Sequence, residues 1–315
     1  MKKMNIPLIG TLLILALVVC PILYFQVGPR LDEEQMSVLK LLATIMCCSS
    51  LLCFVVGELA HNNSQVDKIW SILPFVYCWI IAVHGNMHPR LVVMAALATI
   101  WGLRLSFNFG RRGGYHIKFW EGEEDYRWSI LRANPMLKNR FIWAVFDLIF
   151  ICFYQNMMLL LIVLPALVCM GSTVPFGWID GLAAALMLFF IIYETVADQQ
   201  QWNFQSKKWE MINAGQKLEN LPAPYNKGFN TVGLWNVSRH PNYMAEQAIW
   251  ASFYVFSIGA GVGIINWSLI GPLMLILLFS PSTNLAEEIS VGKYPEYVQY
   301  IKMTNRFFPG KKYRR

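Results

Sequence analysis

The segment Gly233-Leu-Trp-Asn-Val-Ser-Arg-His-Pro-Asn-Tyr-Met-Ala-Glu246 gathers a cation, an imidazole, an amide, a phenol and a carboxylate in one short stretch. Pro241 suits the first turn of a helix, where its missing N–H costs nothing. Around it Arg239, Asn242 and Tyr243, Glu246 and Trp250 recur at three- and four-residue steps, so they share one helix face. The helix start adds free N–H groups and a positive dipole end, which suits a phosphate or carboxylate. An apolar run follows to about position 265, and ionisable groups at the mouth of a membrane helix are expensive and usually functional. The chemistry implied is the holding of a charged cofactor beside a lipid-phase reaction.

Other candidates lie elsewhere. Glu194 and Asp198 sit four apart inside an apolar run, followed by Gln199, Gln200, Gln201 and Trp202. A helix end so rich in amides and carboxylates can hydrogen-bond a ribose or an adenine. Asn284 and Glu287 end another apolar run. Lys293 and then Tyr294, Tyr297 and Tyr300, at a three-residue step, read as a short interfacial helix. Asp67 occupies a polar turn over residues 58–70, and Arg104, Arg111 and Tyr126 a polar stretch over 101–140.

Several classes drop out. No β–α alternation surrounds the glycine clusters, so a Rossmann domain is excluded. His61, His84, His88 and His116 are isolated, and no metal site is predicted. The seven cysteines all lie in apolar runs and read as packing residues. The net charge of +7 follows the loops, as expected from topology and lipid headgroups, and no nucleic-acid partner is implied.

These residues must be positioned by membrane helices. The chain has 315 residues, 56% of them hydrophobic, and a mean hydropathy of +0.42. Eight apolar runs approach the ~20 residues that span a bilayer core: about 5–27, 37–57, 69–84, 91–109, 142–170, 178–197, 243–263 and 264–281. The expected fold is an all-α integral membrane bundle of about seven to eight transmembrane helices with a cytosol-facing cofactor pocket. With the N-terminus in the cytosol, all but three (Arg30, Lys40, Arg90) of the 26 lysines and arginines fall inside, as the positive-inside rule asks. Both termini are then cytosolic. Residues 1–27 read as a retained helix, because Val18-Val19-Cys20 lacks the small residues of a cleavage site. The membrane is the bacterial inner membrane or the endoplasmic reticulum, according to source.

From about residue 60 to 309 the chain resembles membrane proteins that share the C-terminal domain of steroid 5-alpha reductases. The resemblance rests on Val66-Asp-Lys-Ile-Trp70, Trp101-Gly-Leu-Arg104, Glu124-Asp-Tyr-Arg127-Trp, Phe153-Tyr-Gln155-Asn, Glu194 with Asp198, Arg239-His-Pro-Asn-Tyr243 with Glu246, and Lys293-Tyr with Tyr297, Tyr300 and Pro309. It implies N-terminal helices over 1–60 and a reductase-like domain over 61–315, forming one structural unit. It also implies NADPH as cofactor. The positions carried over are Arg104, Arg111, Glu194, Asp198, Asn242, Glu246, Asn284 and Glu287, and Trp235, Arg239, His240, Tyr243, Lys293 and Tyr297 complete the expected cofactor site. The implied reaction is hydride transfer to a C=C bond of a lipid-phase, steroid-like or other enone. Where the family places a tyrosine three residues before the arginine, this chain has Trp101. Tyr126 and Asp67, with Tyr24, are the substitutes considered for the group that meets the substrate oxygen. Isoprenylcysteine carboxyl methyltransferases share the Arg-His-Pro-x-Tyr segment, so S-adenosylmethionine acting on a lipid-phase carboxylate is the alternative. A non-catalytic scaffold or lipid carrier on the same fold is a third reading.

Overall fold

A computed structural model describes residues 18, 19, 22, 24 and 26–310. The described chain is all helical. An isolated parallel bridge joins Ser238 and Asn305. The first α-helices are α1 (Glu33–Ala60), α2 (Gln65–Trp70), α3 (Leu73–His84), α4 (Pro89–Gly110), α5 (Tyr126–Arg132) and α6 (Arg140–Phe146). A π-helical segment (Asp147–Tyr154) leads into α7 (Gln155–Leu161) and α8 (Leu164–Cys169). Then come α9 (Trp178–Asn213), α10 (Pro241–Gly259), α11 (Ile270–Lys293) and α12 (Tyr297–Met303).

Among the described residues six helical stretches are long and apolar enough to cross a membrane: Glu33–Ala60, Gln65–His84, Pro89–Gly110, Arg140–Cys169, Trp178–Asn213 and Trp267–Lys293. Each overlaps an expected run. The expected run at 243–263 folds as α10, which is not among the six. The run at 5–27, with Lys2, Lys3 and Cys20, lies largely outside the described residues, as do the basic residues after position 310.

The chain divides into two compact units. Unit 1 comprises residues 1–185 and 252–275, and unit 2 residues 186–251 and 276–315. In unit 1, α1 starts at a capping box: the Asp32 carboxylate accepts the Gln35 N–H, and the Gln35 side chain accepts the Asp32 N–H. Gln35 Nε2 also donates to the Leu167 and Met170 carbonyls, tying that cap to the end of α8. α4 packs closely on the turn between α2 and α3. A Cβ at Gly102 would run into the Ser71 carbonyl and the Phe75 ring, so only glycine permits this approach.

Arg90 anchors the far end of α4. Its side chain is fully buried and pairs with Asp180 at 2.6 Å. Ser172, Val174, Pro175 and Gly259 accept its remaining N–H groups. The charge pattern treats Arg90 as a stray cation of an outer loop. The structure makes it a structural clamp, because a buried guanidinium must have every donor satisfied.

Candidate functional site

Unit 2 is organised by one face of α9. Glu194, Asp198, Gln201, Gln205 and Lys208 follow helical spacing along it. Glu194, Asp198 and Lys208 are buried. The segment from 214 to 240 lies against this face as a series of short 3-10 turns. Two contacts pin it: Trp235 Nε1 donates to the Ala197 carbonyl at 3.0 Å, and the Leu234 N–H donates to Gln200 Oε1 at 2.9 Å. Lys208 Nζ donates to the Gly228 carbonyl at 2.9 Å and meets the Tyr294 hydroxyl at 3.3 Å. Gly228 has φ +81°, and a Cβ there would collide with the Tyr294 ring. This turn therefore requires glycine.

Arg239 and His240 precede α10 outside the helix. Their N–H groups donate to the carbonyls of Asn305 and Arg306 at 2.9 and 3.0 Å. The expectation that Arg239 continues the helical stripe is thus corrected: α10 begins at Pro241, and the two residues before it belong to the bridge.

The buried Glu287 carboxylate, on α11, is the hub of the unit. Arg239 Nε meets its Oε1 at 2.7 Å, and His240 Nε2 meets the same oxygen at 3.0 Å. Arg306 approaches Oε2 at 3.4 Å. Arg239 Nη1 donates to the carbonyls of Ile301, at 3.2 Å, and of Thr304. That satisfies carbonyls at the end of α12, which would otherwise be orphaned. Burial lowers the His240 pKa in spite of the Glu287 contact, so the imidazole is neutral and donates from Nε2. Burial raises the Tyr297 and Tyr300 hydroxyls. The Tyr300 hydroxyl donates to the Ser238 carbonyl at 3.2 Å and contacts the Trp235 carbonyl.

On the first turns of α10, Asn242 Nδ2 donates to Asp198 Oδ1 at 3.1 Å. Tyr243 stacks on His240, with ring centroids 5.3 Å apart. Glu246 Oε1 accepts Trp250 Nε1 at 3.1 Å, so the stripe read from the sequence holds from Asn242 onward. Asn284 and Lys293, by contrast, are exposed on α11.

Between these elements lies a cavity of about 170 Å³. Trp235, Arg239, His240 and Tyr297 line it, as do Gln201, Gln205, Phe229, Asn230, Tyr294 and Tyr300. The first four are sequence-predicted residues. Gln205 and Lys208 were legible as the continuation of the 194–198–201 spacing. Asn230 carried no such signal, because only the fold of its loop brings it to the cavity.

The remaining predicted residues belong to unit 1. Arg104 is half-buried on α4. Arg111 caps that helix, with Nε on Asn108 Oδ1 at 2.9 Å and its guanidinium over the Phe107 ring. Trp101 is fully buried. Tyr126 opens α5 and is 54% exposed. Asp67, on α2, lies beside Ser64, whose Oγ accepts Trp128 Nε1 at 3.0 Å, with Arg127 and Asp125 as its charged neighbours. Lys68 beside it is buried, and Nζ donates to Gln65 Oε1 and to the Phe119 and Glu121 carbonyls, fastening the loop before α5.

Residues 53–304 match a family described as "Protein of unknown function (DUF1295)". The uncharacterized protein C594.04c of Schizosaccharomyces pombe is 36% identical over 279 residues, which cover 82% of this chain and 78% of the relative. No solved structure matches the chain significantly. The match runs from α1 to the end of α12 and takes in both the Glu287 hub and the walls of the cavity, so this protein belongs to the DUF1295 family.

Proposed function

We propose that this protein is a membrane-embedded, NADPH-dependent reductase of a C=C bond in a lipid-phase enone. The observation that carries the reading is the cavity of unit 2, with aromatic and amide walls beside the buried Arg239–Glu287–His240 cluster. Its donor set fits one end of a dinucleotide: rings to stack on, amides to bond heteroatoms, and Arg239 on the wall. At about 170 Å³ it is below the roughly 300 Å³ of a pocket for a whole drug-sized ligand, so the rest of the cofactor would lie outside it. Asn242, at the start of α10, and Asp198, on α9, are joined by a hydrogen bond and would meet the ribose hydroxyls.

The proposal includes the finer topology: α10 and the run at 5–27 complete seven to eight spans, both termini are cytosolic, and the cavity opens to the cytosol. When bound, NADPH supplies a hydride. The chain must then stabilise charge on the substrate's carbonyl oxygen, and one well-placed donor is worth roughly 2.7–4 kcal/mol. Tyr126, and Asp67 in its protonated form, are proposed for that task.

The test is a titration of the purified protein with NADPH and with S-adenosylmethionine, following tryptophan fluorescence, since Trp235 lines the cavity. NADPH should quench with saturation, and S-adenosylmethionine should not compete. The reverse preference would transfer the reading to a methyltransferase, and silence from both to a scaffold.

A further inference from the structure

The loop between α4 and α5 displays six consecutive exposed residues, 115–120, and four of them are Tyr115, Ile117, Phe119 and Trp120. Ile117 is fully exposed, Phe119 62% and Trp120 42%. A contiguous row of large apolar side chains marks an interaction surface. The loop is held on a fixed frame. Lys68 Nζ donates to the Phe119 and Glu121 carbonyls at 2.8 and 2.7 Å. Gln65 Nε2 donates to the Trp120 carbonyl at 3.2 Å, and Asn62 Nδ2 to the Gly122 carbonyl at 3.0 Å. These backbone acceptors are thus satisfied by the protein, while the apolar side chains stand exposed.

Two relationships set the depth of the loop. The chain leaves one membrane-length stretch at Gly110 and enters the next at Arg140, and no described stretch between them is long and apolar enough to span. Both ends of the loop therefore lie at the same face of the bilayer. The loop also folds back along the helix ends. The Tyr115 hydroxyl donates to the Lys68 carbonyl at 2.9 Å and meets Ser71 Oγ at 3.4 Å. Its ring packs edge-on against Phe109 of α4, with centroids 5.1 Å apart. Ser71 Oγ in turn pairs with Ser106 Oγ of α4 at 2.7 Å. These four residues occupy the terminal turns of the stretches Gln65–His84 and Pro89–Gly110. The second has 22 residues, about 33 Å of helix against the ~30 Å of a hydrocarbon core. Its last turn, and the loop beside it, thus sit at the headgroup level.

The composition fits that level, where aromatic rings and basic side chains anchor proteins. Arg112 and Lys118 are exposed on either side of Ile117. Residues 111–140 carry seven lysines and arginines against four acidic residues. Glu121 meets Lys118 at 3.1 Å, but an exposed pair of this kind is weak. We propose that residues 115–120 are a wedge seated in the bilayer surface, with Ile117, Phe119 and Trp120 at the acyl boundary and Arg112 and Lys118 on anionic lipid headgroups. The wedge belongs to unit 1 and involves no cofactor.

The test places p-benzoylphenylalanine at position 117 of the full chain. The protein is photolysed in nanodiscs of mixed phosphatidylcholine and phosphatidylserine, and adducts are read by intact mass. Thermal unfolding checks that each variant folds. The chain should gain the mass of one lipid, with phosphatidylserine enriched over its share of the disc. Arg112→Glu with Lys118→Glu should lower that enrichment by at least about fivefold, the worth of one basic residue near an anionic surface. Should that pair fail to fold, Arg112→Gln with Lys118→Gln should lower it in the same direction. A chain that forms no lipid adduct, or that links to a second protein chain instead, overturns the proposal. So does a lipid adduct with no phosphatidylserine enrichment, or an enrichment that survives removal of both charges.

Discussion

Arg90 and Asp180 grip each other through two contacts, Nε to Oδ1 at 2.6 Å and Nη2 to Oδ2 at 3.0 Å, both buried. The fork of a guanidinium matches a carboxylate in this way, and four further acceptors complete it. Removing either partner leaves an uncompensated buried charge. Arg90→Met or Asp180→Asn should destabilise the protein by about 3–5 kcal/mol. Thermal unfolding in detergent measures this. Nucleotide affinity of the surviving folded fraction should be unchanged, because the clamp belongs to unit 1 and the cavity to unit 2.

Glu287 serves both roles at once. It neutralises Arg239, and it fixes His240 on the cavity wall. Glu287→Gln keeps the shape but leaves Arg239 without its counter-charge. The expected cost is about 2–5 kcal/mol of stability, together with weaker nucleotide binding. Unfolding and binding measured on the same preparation check it, and intact affinity would show that the hub is purely architectural.

His240 gives the protein an acid limit. Burial sets its pKa below the ordinary value of 6.5, with Arg239 and Arg306 as further opposing charges. The unfolded chain therefore takes up the proton first as pH falls, and the folded state loses ground. Stability should be full above the ordinary histidine range and decline as pH drops through it. His240→Gln retains an N–H donor for Glu287 and should flatten this slope between about pH 7 and pH 5. An unchanged slope in that variant would assign the acid sensitivity to other groups.

Lys68 holds the loop before α5 through two backbone carbonyls. Lys68→Met should leave the helices intact but loosen residues 115–125. Hydrogen exchange of that segment should quicken by at least about tenfold, with α3 and α4 unaffected. Equal loosening throughout would mean that Lys68 supports the whole unit.

If Asp67 and Tyr126 serve the substrate oxygen, Asp67→Asn and Tyr126→Phe should cut turnover by roughly a hundredfold or more, with NADPH affinity unchanged. A fall in affinity without a fall in turnover would remove both from the chemistry.

Much of this molecule was legible in its sequence. Apolar runs marked every described long helix, because length and hydropathy are properties of consecutive residues. Pro241 marked the start of α10, and the spacing from Asn242 to Trp250 marked its polar face. Glu194 and Asp198 announced the face of α9 that continues through Gln201 to Lys208. Periodicity could not distinguish Arg90 from a loop cation, nor tell that Arg239 precedes the helix and donates its N–H to the Asn305 carbonyl.

The sequence by itself determined the helical membrane class, the family motifs and the residue types available for chemistry, since these depend on composition and local spacing. Only the tertiary structure decided which charges neutralise one another. Glu287 chose Arg239 across 48 positions, and Arg90 chose Asp180 across 90. Such pairings follow from packing, because a buried charge must find its partner wherever the fold brings one close, and no local pattern encodes that partner. Asn230 reaches the cavity for the same reason: its loop is placed by contacts far along the chain.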